Sequence, residues 1–223
     1  MKICISGSKG KMGSRIIELL KDDAEVELSG SFDLGEDAEA PIAACDCLIE
    51  FTTPEATMEH LGLCEKMGKA MVIGTTGLSA ADCEKVKEAS KKIPVVFSPN
   101  MSVGVNLLFK MIADAAKTLD STYGIEIVEA HHVHKKDSPS GTAKEMARIV
   151  KDARSGVHVP IESIREDEIV GEHTITFDSD VDTIEITHSA KTRDVFAKGA
   201  LQAAKFTIGK PAKFYTMKDV LGL

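Results

Sequence analysis

Short apolar runs alternate with stretches of helical periodicity through the first hundred residues, and few folds accommodate that pattern. The runs are KICISG, EVELSGSFD, CLIEFTT, AMVIGTTG and PVVFSPN. Between them, KMGSRIIELLKDD places Met12, Ile16, Ile17 and Leu20 on one helical face. Pro54 opens the helix EATMEHLGLCEKMG, and Ser79 caps SAADCEKVKEASKK. Strands joined by helices of this length form parallel β-α-β units with right-handed crossovers and helices on both faces. After Asn100 the pattern changes. NLLFKMIADAAKTLD reads as a helix with Leu107, Leu108, Met111, Ile112, Ala115, Ala116 and Leu119 in one core stripe. GIEIVEAHHVHKK alternates like a strand, TAKEMARIVKDARSG is a helix, HTITFDSDVDTIEITHSAK reads as two strands around a turn, and DVFAKGALQAAKFTIG is a last helix. Strands that follow one another without a helix imply an α+β second domain with a partly open antiparallel or mixed sheet.

The turn from first strand to first helix, GSKGKMG, spaces Gly7, Gly10 and Gly13 three apart. This is a variant of the dinucleotide fingerprint. Gly7 permits the tight turn, Gly10 lets backbone approach a pyrophosphate, and Gly13 lets helix pack on strand. The helix N-terminus then offers unpaired N–H groups to the phosphates. Asp33, about twenty residues on, ends the second strand and suits an adenosine ribose, which favours NAD. Lys9 and Lys11 in the loop suit an additional 2′-phosphate, so the sequence predicts tolerance for NADH and NADPH. The expected fold class is therefore α/β, a Rossmann-like parallel sheet domain plus an α+β domain with an open mixed sheet. Two further loops, GTTG (Gly74, Thr75, Thr76, Gly77) and SPNMS (Ser98, Pro99, Asn100, Met101, Ser102), end the fourth and fifth strands, where this fold places ligands. Each alone reads equally well as an ordinary turn.

Composition excludes several classes. With 27 Lys+Arg against 35 Asp+Glu the chain is acidic, which argues against a nucleic-acid binder. No basic amphipathic face suits a membrane surface and no apolar stretch is long enough to span one. The N-terminal MKICISGSKG does not read as a signal peptide. The five cysteines, Cys4, Cys45, Cys47, Cys64 and Cys83, sit mostly inside apolar runs and read as buried reduced thiols of a cytoplasmic protein.

Against this acidic background, EAHHVHKKDSPSGTA gathers three histidines and two lysines between His131 and Lys136. Metal binding is one reading, but the strand period separates His131 from His132 and His134 and no third ligand follows, so no metal is expected. A second reading is structural: exposed strand histidines beside a helix capped by a Thr142–Glu145 T-x-x-E box. The third is an anion site with proton chemistry. Lysines and switchable histidines precede a helix N-terminus that favours a carboxylate or phosphate, Gly141 admits close backbone approach, and Thr142 adds a hydroxyl. Beside a nicotinamide domain, this implies hydride transfer with protonation of a small acid.

EAHHVHKKDSPSGTA resembles the signature of the 4-hydroxy-tetrahydrodipicolinate reductase (dihydrodipicolinate reductase) family of lysine and diaminopimelate biosynthesis. GSKGKMG, FTTPEA, GTTG, SPNMSVGVN and RDVFAKGA resemble family segments in the same order, together spanning nearly the whole chain. The resemblance implies that His131 is the catalytic acid/base and Lys135, four residues on, the proton donor; Lys136 fills a longer spacing of the motif. It implies that His132, Gly141 and Thr142 hold a dicarboxylate heterocycle. Gly7, Ser8, Lys9, Gly10, Lys11, Met12, Asp33, Gly74, Thr75, Thr76, Ser98, Pro99, Asn100 and Met101 would line the cofactor, NADH or NADPH.

The family fold further implies a dinucleotide-binding domain from 1–102 and 193–223, a substrate-binding and oligomerisation domain from 103–192, and a cytoplasmic homotetramer. Binding of both ligands is expected to close the two domains. The chain departs from the family pattern in being short, and in carrying Met101 where an aromatic is common. Another Rossmann-type dehydrogenase acting on a small carboxylic acid, a non-catalytic nucleotide sensor and a metal-dependent hydrolase are the alternatives.

Overall fold

The computed structural model describes residues 1–223 and divides into two units, Met1–Val103 with Asp194–Gly222, and Gly104–Arg193. In the first, β1 (Lys2–Ser6), β2 (Glu27–Phe32), β3 (Cys47–Glu50), β4 (Ala70–Ile73) and β5 (Pro94–Phe97) are joined by α1 (Lys11–Leu20), α2 (Glu39–Ala44), α3 (Pro54–Met67) and α4 (Ala80–Ala89). All strand pairings are parallel, in the order β10-β5-β4-β3-β1-β2, where β10 (Lys213–Tyr215) is supplied from the far end of the chain.

The apolar runs of β1, β3 and β4 are continuous because both their faces are covered. Ile3, Ile5, Cys47, Ile49, Val72 and Val96 pack with residues of α1 and of α7 (Asp194–Phe206). Their strand neighbours Cys4, Leu48, Met71, Ile73 and Val95 point the other way and pack with residues of α2, α3 and α4. A short α8 (Met217–Leu221) ends the unit. Ser79 accepts a hydrogen bond from Asp82 N as expected of an N-cap, and Pro54 opens α3 behind a Thr53 cap. All five cysteines are free. Burial pushes the Cys45 thiol up to about 11 and Cys4 up to about 12, as inert packing thiols require.

In the second unit, α5 (Val103–Thr118) and α6 (Gly141–Ala153) accompany a sheet of order β7-β6-β8-β9. β6 (Gly124–His131) pairs parallel with β7 (Ile161–Arg165) and antiparallel with β8 (Glu172–Asp178), which pairs antiparallel with β9 (Thr183–Ser189). The sheet is mixed, one of the two arrangements that the strand-after-strand pattern allows. Ile125, Ile127, Ile175 and Phe177 pack with Leu108, Ile112, Met146 and Val150 of the helices.

Three expectations are corrected. Leu107 and Met111 are 48% and 43% exposed; the buried face of α5 is Val105, Leu108, Phe109, Ile112 and Ala116, so the stripe read from sequence spanned the core row and an adjacent outer row. The N-cap of α6 is Ser140, whose Oγ accepts from Ala143 N at 3.2 Å; Thr142 lies inside the helix and Glu145 pairs with Arg148 at 2.6 Å. β6 ends at His131, so the two-residue period does not govern His132 and His134.

Candidate active site

In the first unit a cleft of about 880 Å³ is lined by residues at the carboxyl ends of β1, β2 and β3, where the sheet order reverses and open α/β sheets bind ligands. Gly7 and Gly10, which line it, bring no side chain to it. Gly7 has φ +73°, and a Cβ there would lie 2.6 Å from Phe51 O. A Cβ on Gly13 would lie 2.2 Å from Gly7 O, so only glycine lets α1 start this close to β1. Gly10 is the N-cap of α1 and brings no side chain to the orphan N–H groups; the first turn carries no acid either. These features fit a pyrophosphate.

Asp33 lines the cleft and accepts from Lys9 N at 2.7 Å and Leu34 N at 2.8 Å. Those two backbone bonds, Leu34 first, hold its carboxyl below the ordinary range. Gly7, Gly10 and Asp33 thus meet in one cleft, while Ser8, Lys9, Lys11 and Met12 continue the loop into α1. The other two loops chiefly organise themselves. Thr75 Oγ1 accepts from Thr52 N at 3.0 Å and from Thr57 Oγ1 at 2.9 Å. A Cβ on Gly74 would lie 2.2 Å from the Phe51 ring. Ser98 Oγ donates to Asn100 O at 3.0 Å, Asn100 Oδ1 accepts from Ser102 N at 2.8 Å, and Met101 is buried in the core.

The second unit builds its site around Glu129, which is fully buried on β6. Its Oε2 accepts from His131 Nδ1, and its two oxygens accept from Arg165 at 2.8 and 3.0 Å and from Ser140 N at 3.2 Å. Burial alone would raise this carboxyl, but the hydrogen bonds, led by Arg165, bring it to about 2. An ionised carboxylate only accepts, so His131 carries its proton on Nδ1 and leaves Nε2 as the available acceptor. Burial drives the His131 pKa down, against the pull of Glu129. The ring of His173 meets His131 edge-on at 5.0 Å, and its Nε2 lies 3.2 Å from Ser140 Oγ.

Strand register assembles this set: Glu129 stands opposite Ser163 on one side and His173 on the other, and His131 opposite Arg165. Glu129, His131 and His173 bring possible metal-ligating atoms within 4.8 Å of one another. Both Glu129 oxygens already accept from the Arg165 guanidinium, whose positive charge repels a cation.

Beyond β6, Lys135 is partly buried and its Nζ lies 2.7 Å from Asp137 Oδ1, whereas Lys136 is exposed. The Asp137 carboxyl is raised by desolvation, but the Lys135 ammonium and, less strongly, the nearby backbone N–H groups of Asp137 and Gly141 bring it below the usual range. A carboxylate therefore already sits between the lysine and the first amide of α6, where helix N–H groups favour negative charge. Gly141 and Thr142 are the first two residues of that helix. His132 Nδ1 is buried without a partner, and its ring lies 6.2 Å from that of His134. Sequence reading gave no role to Glu129, Arg165, Ser140 or His173, nor to Thr52, Thr53 and His60 in the cleft. His173 carried one signal: it shares the inward row of β8 with Ile175 and Phe177.

The network makes stability acid-sensitive. Burial, then the neighbouring His131, brings His173 down to about 3. An unfolded histidine titrates near pH 6.5, so below roughly that pH the unfolded chain binds more protons and stability falls. Glu129 adds a second loss as pH falls from about 4.3 towards its folded value. Melting temperatures recorded across pH should change little from about 8 to 7 and decline below about 6.5. A flat profile down to about pH 5 would contradict the assignment of His173 as neutral.

Residues 1–101 match the family described as Dihydrodipicolinate reductase, N-terminus, and residues 104–221 match Dihydrodipicolinate reductase, C-terminus. The chain is 41% identical over 264 residues to the 4-hydroxy-tetrahydrodipicolinate reductase of Cupriavidus metallidurans, with 100% of both chains covered. It is 38% identical over 265 residues to that of Citrifermentans bemidjiense, covering 100% of this chain and 99% of the relative. Both alignments run longer than the 223 residues of this chain, so these relatives carry segments that it lacks. Among solved structures, a dipicolinate-bound dihydrodipicolinate reductase from Paenisporosarcina sp. TG-14 shares the fold, with a TM-score of 0.82, 22% identity and 97% of each chain covered. The chain belongs to the dihydrodipicolinate reductase family.

Proposed function

We propose that this chain is an NAD(P)H-dependent oxidoreductase that converts 4-hydroxy-tetrahydrodipicolinate to tetrahydrodipicolinate in lysine and diaminopimelate biosynthesis. In a chain of this family, the observation that carries the reading is the Asp137 carboxylate seated between Lys135 and the α6 N-terminus. The protein's own carboxylate there marks a position suited to a carboxylate of the substrate.

The unit of residues 1–102 and 193–223 is the dinucleotide-binding domain. Gly7, Ser8, Lys9, Gly10, Lys11 and Met12 hold the pyrophosphate, Asp33 the adenosine ribose, and Gly74 to Thr76 with Ser98 to Met101 the nicotinamide side. A bound reduced nicotinamide, from NADH or NADPH, supplies the hydride. Residues 103–192 bind the heterocycle, with His132, Gly141 and Thr142 holding its carboxylates. A substrate carboxylate that displaces Asp137 frees the Lys135 ammonium, which gives its proton to the ring once the hydride has arrived. His131, fixed by Glu129 at Nδ1, exchanges a proton at Nε2 and assists loss of water from the hydroxylated form. Val128, Ile164, Thr174 and Thr187 on the outer sheet face supply an assembly surface for a cytoplasmic homotetramer, testable by light scattering at four times the chain mass.

Purified chain mixed with the substrate and either cofactor should consume reduced nicotinamide, read as falling near-ultraviolet absorbance. No fall with either cofactor defeats the proposal.

A further inference from the structure

Asp33, Glu36, Asp37 and Glu39 stand together along one wall of the cleft in the first unit, and no lysine or arginine is among the residues that line it. Lys9 reaches towards this wall from the glycine loop, but its Nζ is held by Glu36 Oε1 at 2.6 Å. The other Glu36 oxygen accepts from Asp33 N at 2.8 Å, and the Asp33 carboxylate accepts from Lys9 N at 2.7 Å. Asp33, Glu36 and Lys9 therefore close on one another, and the Lys9 ammonium is paired within that set. The Lys9 contact also keeps the Glu36 carboxyl below its ordinary range. Leu34, 96% exposed beside Asp33, adds no polar side chain.

We propose that Glu36, by holding Lys9, makes this cleft select NADH over NADPH. The inference rests on the reading of the cleft as the cofactor site. Each Asp33 oxygen accepts one backbone N–H and keeps a lone pair for a ribose hydroxyl. A 2′-phosphate brings about −1.5 to −2 charges at pH 7. It would face Asp33, Glu36 and Asp37, with Lys9 already paired and Lys11, the loop's other lysine, not among the residues that line the cleft. Its three strong acceptor oxygens would find no unpaired cation on this wall, whereas a 2′-hydroxyl needs none.

The test titrates wild type, Glu36→Gln, and Glu36→Gln with Lys9→Ala against NADH and NADPH. Binding is followed by nicotinamide fluorescence, with kcat/KM measured in parallel and thermal unfolding as the folding control. Wild type should prefer NADH by about tenfold or more, the scale of one lost charge contact. That preference should shrink as added salt screens the exposed carboxylates. Glu36→Gln should shift the NADPH-to-NADH ratio towards NADPH by about tenfold, and adding Lys9→Ala should cancel the gain. Equal or tighter NADPH binding by wild type overturns the proposal, as does a Glu36→Gln variant whose ratio does not move. Wild type that binds neither cofactor removes the cofactor reading of the cleft itself, and with it this proposal.

Discussion

Replacing Lys135 with alanine is expected to lower kcat by about a hundredfold or more, the scale of a lost general acid. The side chain is partly buried and held by Asp137 at 2.7 Å, so its ammonium has one defined place beside the α6 N-terminus. Asp137 is half exposed and tolerates losing its partner, so folding should survive and the melting temperature stay close to wild type. Lys136 is exposed, and Lys136→Ala should turn over nearly normally. Near-normal turnover in Lys135→Ala, with a loss in Lys136→Ala, would move the proton donor one residue along. His131→Gln should resemble Lys135→Ala. Thr142→Ala should instead raise KM with a smaller effect on kcat, because it removes binding and leaves the proton chemistry in place.

The Glu129→Ala variant should lose about 3–5 kcal/mol of folding stability, among the largest effects of any single change in this chain. Glu129 is fully buried and the Arg165 side chain is 19% exposed, so deleting the carboxylate strands a largely buried guanidinium. The loss is a large fraction of a typical total of about 5–15 kcal/mol. Changing Arg165 to methionine in the same chain removes the stranded charge and should recover much of the stability. It should not recover activity, because His131 has then lost the acceptor that fixes its tautomer. Glu129→Gln, which keeps the shape, should cost less stability and still depress kcat. Denaturant unfolding of the three variants beside wild type reads the stability effects. A Glu129→Ala midpoint indistinguishable from wild type would mean that the network carries little of the fold.

Much of the architecture was legible in the residues. The central strands β1, β3 and β4 of the first unit are buried on both faces, so each appears as a continuous apolar run, and Gly7 and Gly13 mark a turn that a Cβ would block. The short elements were not legible. β10 is the three residues Lys213–Tyr215 and α2 the six residues Glu39–Ala44, both too brief for periodicity to register, and β7 is a half-exposed edge strand without a buried apolar run.

The candidate site divides the same way. His131, Lys135, Gly141 and Thr142 lie in one motif and were visible together. Arg165 and His173 join Glu129 only through strand register, with 36 residues separating Arg165 from the carboxylate in sequence. The cap of α6 was misplaced because T-x-x-E spacing fits Thr142 and Glu145, while Ser140 stands where its hydroxyl meets Ala143 N. In the cleft, the sequence offered Lys9 and Asp33 as separate phosphate and ribose contacts. The structure ties them into one set through Glu36, a residue that no motif singles out.

The central claim is that reducing equivalents pass directly from a nicotinamide to a doubly carboxylated ring, and isotope transfer tests it most directly. Cofactor deuterated at the transferring position of the nicotinamide should yield, after a single turnover in ordinary water, a ring product one mass unit heavier. Cofactor consumed without deuterium in the ring, or a ring left unreduced, would contradict the account.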